Sequence, residues 1–168
     1  MGPRTPSDSE SILVRWMGPT DANAGGFIHG GTIMRYCDEA AGLAAVRHSG
    51  TSCVTAGLDR MTFNERVHVG DVVSFKARVN AAWRTSVEVG VRVEAENART
   101  GEVRHTTTAY LTMVAIGEDG RPAAVPALEC GDETERRRER EAQLRRKNRL
   151  AEREQIVQSR SAEPAVEA

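Results

Sequence analysis

Between residues 71 and 116 the chain alternates apolar and polar residues almost without a break, and only one segment ahead of it reads as a long helix. In "SVEVGVRVEAE" (86–96), Val87, Val89, Val91 and Val93 share one side, and Glu88, Arg92 and Glu94 take the other. "VVSFKARVNA" does the same, with Val73, Phe75, Ala77 and Val79 against Ser74, Lys76 and Arg78. This period-two pattern marks half-buried antiparallel strands. "SILVRWM" (11–17) and "TSCVTAGLDRMTF" (51–63) read as further strands, and "NARTG" (97–101) as a hairpin turn before the last strand, 102–116. From Gly30 to His48 the apolar spacing is helical, and Gly50 stands where a left-handed cap ends a helix. The order is therefore one strand, one long helix and about four strands in a meander. A lone helix has only the sheet on which to bury its apolar stripe, so the expected fold is α+β, with a curved antiparallel sheet of about five strands wrapped round a central helix. Open sheet edges need covering, which predicts at least a dimer.

The expected organisation is a flexible leader over 1–10, a folded domain over 11–128, a charged helical tail over 129–158 and a disordered end over 159–168. The tail, "DETERRREREAQLRRKNRLAEREQIVQ", interleaves Arg and Glu, which reads as a solvated or interface helix rather than a nucleic-acid-binding one. A net charge of −1 gives no bulk attraction to nucleic acid or to anionic membranes. No apolar run approaches the roughly 20 residues of a membrane helix. The opening residues show no signal-peptide pattern, and Pro6 occupies the position where a myristoylation motif wants Ser or Thr. Cys37, Cys53 and Cys130 are scattered and odd in number, as in a reduced cytoplasmic protein. No His spacing suggests a metal site.

One stretch carries chemistry: "ANAGGFIHGGTIMRYCDEAAG" (22–42). Gly25 and Gly30 superficially suggest a phosphate loop, but Gly31 stands where that pattern requires Lys. A helix start suits it better. Gly30 and Gly31 leave the first N–H groups uncovered, and those donors together with the helix dipole can hold a developing oxyanion. Asn23 offers an amide to orient a water or a carbonyl, or is simply a turn residue. On a helical wheel Ile33, Met34, Cys37, Ala40, Ala41, Ala44 and Ala45 form one face, with Glu39 opposite. Asp38 falls at the edge of that face beside Gly31, Gly42 and Ala45, where partial desolvation would make its carboxylate a better base; the bland alternative is a boundary residue meeting water or an Arg. Cys37 lies within the apolar face and reads as core.

"DANAGGFIHGGTIMRYCDEAAG", with "VHVGD" and the Val-rich strands after it, resembles the hotdog-fold acyl-CoA thioesterases, specifically the cytosolic (brain-type) acyl-CoA hydrolase group. The resemblance covers roughly residues 10–128. It implies a single hotdog domain that hydrolyses fatty acyl-CoA to free acid and CoA, with no cofactor and no metal. It also implies a site shared between two subunits, Asn23 of one facing Asp38 of the other, in a homo-oligomer, with a trimer of dimers forming a hexamer as the expected assembly. Asp38 would activate water, Asn23 would hold that water or the carbonyl, and the Gly31 N–H would face the thioester oxygen. Residues expected to contact substrate are His29, Gly30 and, for coenzyme A, Arg84, Thr85 and Ser86, with Arg60 and Arg66 as alternatives. Met34, Tyr36, Met61, Phe63 and Trp83 are the expected tunnel residues. The competing readings are action on acyl-carrier protein, a non-hydrolytic acyl-CoA sensor, and a hotdog dehydratase or hydratase using His29.

Overall fold

The computed structural model describes residues 2–162. Short 3-10 turns at Pro6–Ser9 and Pro19–Asp21 flank β1 (Ser11–Trp16). Then come α1 (Gly30–Ser49), β2 (Ser52–Phe63), β3 (Asp71–Ala82), β4 (Ser86–Asn97), β5 (Val103–Ile116) and α2 (Glu133–Ala162). The strands make one antiparallel sheet in the order β1-β3-β4-β5-β2. The sheet and central helix are the expected hotdog arrangement, but the last four strands are not a simple meander. β2 lies beside β5 at one edge, and the chain then crosses to the other side of the sheet, where β3 pairs with β1.

The sequence explains why α1 can sit inside the curve. Ala40, Ala41, Ala44 and Ala45 are fully buried and let the helix approach the strands closely. Facing them are Val73, Phe75 and Val79 of β3, Val87, Val89, Val91 and Val93 of β4, and Leu111 and Met113 of β5, all in one core. Burying each valine contributes roughly 1.5–3 kcal/mol. Tyr36 joins this core against Phe75, with ring centroids 5.5 Å apart, whereas Met34 is 45% exposed. The helix ends as expected, with Gly50 at φ 72° and its N–H on the Val46 carbonyl.

The sheet's outer face departs from the alternation argument. Glu88 is on the polar side of β4, yet it is 0% exposed. The tail helix covers it. Arg145 donates to both Glu88 carboxylate oxygens, at 3.0 and 2.6 Å, and its guanidinium lies 3.7 Å from the Tyr110 ring centroid. Arg149 pairs with Asp59 on β2, Arg146 stacks on Trp83, and Trp83 Nε1 donates to Gln143 at 2.9 Å. The solvated i,i+4 ladder expected of this segment is therefore only part of the account. Arg137 pairs with Glu141 within the helix, but Arg145 and Arg149 neutralise sheet carboxylates. The helix begins at Glu133 and continues to Ala162, through part of the segment expected to be disordered; residues 163–168 lie outside the described residues.

The leader is also held rather than free. Arg4 exchanges backbone bonds with Ala127 and Glu129, both at 2.9 Å. Ser9 is buried, donating to the Pro6 carbonyl and accepting from the Val79 N–H. Polar backbone with few partners of its own is satisfied by docking on neighbouring strands.

Candidate active site

The loop 22–29 is built around Asn23. Its side-chain oxygen accepts from the N–H groups of Gly25 (2.8 Å) and Phe27 (3.3 Å), an Asx turn that folds the segment back on itself. Those bonds commit the amide oxygen and leave the amide NH2, which donates to no described residue. Asn23 can thus offer a donor rather than an acceptor. Arg66 and His68 flank this loop, the Arg66 guanidinium 4.4 Å and the His68 ring 5.6 Å from the centre of the Phe27 ring.

His29 caps α1. Its Nδ1 accepts from the Gly31 N–H at 2.8 Å. In the neutral ring this places the hydrogen on Nε2, which makes His29 an outward donor. The cap also explains Gly31, because a Cβ there would lie 2.9 Å from His29 Nδ1. The Gly31 N–H expected to be open is therefore occupied, and the open N–H at the helix start is that of Gly30, which bonds to no described residue. Of the two donors the sequence offers at this helix start, Gly30 and Gly31, the second is capped by the histidine that precedes them, a contact the residue types alone do not reveal.

Two turns into α1, Asp38 is exposed in the single chain, on the flank facing the sheet edge. The expected desolvation is not supplied within one subunit. Asp38 is not a bystander, however: the Thr55 hydroxyl on β2 donates to its Oδ1 and also lies 3.4 Å from Met113 Sδ. Sequence reading missed Thr55, since nothing local distinguishes it from any strand threonine; only the pairing of β2 with β5 beside α1 shows it. Glu39 is the ordinary carboxylate of the pair, bridged to Arg35 at 2.9 Å. Burial, then the neighbouring Asp38 charge, pushes the Cys37 thiol up to about 12, so it is no nucleophile.

Arg84 and Thr85 lie in the tight β3–β4 turn, and Ser86 opens β4. The Thr85 and Arg84 carbonyls accept from Ala115 and Val125, and the Arg84 side chain is exposed. Ser86 pairs with Val114, which pairs with Val54, next to Thr55. The turn therefore lies at the same end of the sheet as Asp38, two strands away or about 10 Å. Of the expected tunnel residues, Met34 and Phe63 line the open β2 flank with Val54 and Leu58, all at least 38% exposed. Tyr36 is core and Trp83 lies under the tail helix, so neither lines that flank. A cavity of about 470 Å³ lies elsewhere, between α2 and the outer sheet face near Arg78, Arg92 and Arg138. No group of metal-ligating side chains occurs among the described residues, and no helix is long and apolar enough to cross a membrane.

The profile of the thioesterase superfamily matches residues 25–102, which include His29, Gly30, Gly31, Asp38 and Thr55. Protein VdlD of Helicobacter pylori is 37% identical over 142 residues, 84% of this chain and 80% of that protein. The chain belongs to the thioesterase superfamily. Within that superfamily it is also similar to the cytosolic acyl coenzyme A thioester hydrolase of Rattus norvegicus, 34% identical over 138 residues. That match takes in 81% of this chain but spans only 36% of the rat protein's length. Two solved structures cover nearly the whole fold. The apo form of a hexameric acyl-CoA thioesterase superposes with a TM-score of 0.87 at 38% identity, over 90% of this chain and 97% of its own. The Staphylococcus aureus acyl-CoA hydrolase, in complex with butyryl coenzyme A, coenzyme A and its disulfide, gives 0.86 at 30% identity, over 94% and 96%. That enzyme has also been solved with Ala replacing an Asn, an Asp and a Thr, whose spacing along its chain equals that of Asn23, Asp38 and Thr55 here.

Proposed function

We propose that this thioesterase-superfamily chain is a cytoplasmic acyl-CoA thioester hydrolase whose active site forms between two copies. The observation that carries the reading is the division of the site along α1. The open donors, Gly30 N–H, the Asn23 amide and His29 Nε2–H, cluster at the helix start. Asp38, with Thr55, lies about 12 Å further along the axis, at about 1.5 Å of rise per residue. One thioester carbonyl cannot meet both groups in a single chain. A twofold axis supplies the remedy. Phe63, beside Gly30, marks one end of the β2 edge, and Thr55, beside Asp38, lies toward the other. Pairing β2 edge to β2 edge antiparallel lays the donor end of one chain against the carboxylate end of its partner. It also covers Met34, Val54, Leu58 and Phe63 and removes water from Asp38.

In this arrangement water attacks the thioester carbonyl while Asp38 takes its proton. The tetrahedral oxyanion is held by the partner's helix start, through the Gly30 N–H and the His29 Nε2–H, with the Gly31 N–H released when the His29 ring turns aside. Asn23 steadies the water or the carbonyl through its amide NH2. Collapse expels coenzyme A as thiolate, a leaving group that requires no strong acid, no metal and no cofactor. Arg84, Thr85 and Ser86, aligned with Asp38 on the sheet, take the phosphorylated end of coenzyme A, and Arg66 is placed to do so from the Asn23 side. The hexameric and coenzyme-A-bound relatives support a homo-oligomer, by analogy a trimer of dimers, acting on acyl-CoA.

The test is free-thiol release from acyl-CoAs of short to long chain, by wild type and Asp38→Ala. Turnover by wild type alone is the expected outcome. Binding without turnover across the panel would replace hydrolysis with acyl-CoA binding as the function, or move the substrate to a carrier protein.

A further inference from the structure

We infer that Arg149, far along the tail helix, is a positioning residue for the Asp38–Thr55 pair and acts through the bulged edge strand β2. The inference rests on the function proposed above and adds to it a role for the tail.

β2 is bonded on one side only, to β5, and its register breaks twice, between Thr55 and Gly57 and between Leu58 and Arg60. Thr55 stands opposite Met113 while Gly57 stands opposite Thr112, so two steps on β2 answer one on β5. In an unbroken strand Thr55 and Asp59, four residues apart, would project from the same face. The bulges separate them. Thr55 turns inward to Asp38 and to Met113, a core residue, and Asp59 turns outward to Arg149 and to the Thr112 hydroxyl at 3.5 Å. One edge strand thereby serves the catalytic helix on its inner side and the tail helix on its outer side.

The outward contact holds the bulges in place. The Asp59 side chain is only 9% exposed, close burial for a carboxylate on an edge strand. Arg149 is its one ion-pair partner among the described residues. Without Arg149 a buried charge is left uncompensated. The least costly relief is for β2 to slide or flatten until Asp59 reaches water, and either movement rotates Thr55 away from Asp38. The Arg145–Glu88 and Gln143–Trp83 contacts keep α2 docked on β4 and on the β3–β4 turn when Arg149 is changed, so the effect is confined to β2.

The experiment is a cycle in the full chain with wild type, Arg149→Ala, Arg149→Lys, Thr55→Val and the Arg149→Ala/Thr55→Val double variant, with oligomeric state and melting temperature checked for each. Arg149→Ala should lower kcat about 10-fold with KM changed less than about 2-fold, and Arg149→Lys should restore more than half of the loss. In the Thr55→Val background, Arg149→Ala should cost nothing further, because both act on one contact. An unchanged kcat in Arg149→Ala, or a full additional loss in the double variant, overturns the inference. Should wild type turn over no acyl-CoA, the functional reading fails on its own, and hydrogen exchange of the 52–63 segment decides this one: faster exchange in Arg149→Ala upholds it, and unchanged exchange sinks it.

Discussion

Thr55 on the edge strand donates its hydroxyl hydrogen to Asp38 on the central helix, tying the middle of α1 to β2. A carboxylate steadied by one such donor keeps its second oxygen free to face water. Replacing Asp38 by Ala removes the base and should lower kcat by about 10²–10⁴-fold. Thr55→Val keeps the shape but drops the donor, and should cost about 10-fold with KM little altered. Steady-state kinetics on verified oligomers checks both, and full activity in Asp38→Ala would end its assignment as base.

Because the donors at the start of α1 and the carboxylate further along belong to different halves of a shared site, complementation should be observed. Asn23→Ala and Asp38→Ala chains, each inactive alone, should recover activity when co-refolded. In a random mixture half of the dimers are mixed, and each mixed dimer retains one intact site, so about a quarter of wild-type activity is expected. Differently tagged chains, purified as dimers through both tags, provide the mixed species alone, for which the expectation rises to about half. Inactive mixed dimers would place both residues in one chain's site.

The alternating valines and the helix with its glycine cap were legible because each is a local periodic signal, and all four valines of β4 are indeed buried. The motif residues 23–38 were legible because their types and spacing survive without coordinates. Other features were not. The position of β2 at the far edge depends on a crossover that alternation cannot encode. Glu88 looked solvated because the helix covering it lies more than 40 residues later in the chain. Thr55 acquires meaning only from the strand pairing that brings it beside Asp38, and the occupied Gly31 N–H only from the rotamer of His29.

Glu88 and Arg145 form a buried pair whose loss is asymmetric. Burial works against the Arg145 charge, but the hydrogen bonds it donates to Glu88 and the charge of that carboxylate hold its guanidinium above its ordinary value. Arg145→Met leaves Glu88, with 0% exposure, bonded only to Asn80 at 3.2 Å. The expected loss is about 3–5 kcal/mol in denaturant unfolding. Glu88→Gln added to Arg145→Met should recover a good part of it, since the uncompensated charge is then gone. Equal stability of the single and double variants would show that the charge is not what matters.

Cys37 adjoins Asp38 in sequence yet should be chemically silent. With its thiol pushed up to about 12 by burial, the thiolate fraction at pH 8 is about one part in ten thousand. Iodoacetamide should leave Cys37 unlabelled in the native oligomer and label it after unfolding, as peptide mass mapping reads out. Cys37→Ala should keep kcat within about 2-fold. Native labelling of Cys37 with parallel loss of activity would make it a candidate nucleophile.

His48, at the end of α1, should make stability depend on pH. The ring is 0% exposed and its Nε2 meets the Pro126 carbonyl at 3.0 Å, so Nε2 carries the hydrogen and Nδ1 is left without a partner. Burial lowers its pKa below the usual 6.5, the Pro126 carbonyl opposes that shift, Arg4 adds to it and Asp8 opposes it. A depressed folded value means that the unfolded chain binds the proton more readily. The contribution is therefore complete above about pH 6.5 and declines as pH falls from there toward the folded value. The unfolding free energy from denaturant titrations should fall as pH drops below about 6.5, with a slope approaching 1.4 kcal/mol per pH unit. His48→Gln, which can still donate to Pro126, should remove that part of the slope. An identical pH dependence in wild type and His48→Gln would mean that the buried ring does not titrate between the two states.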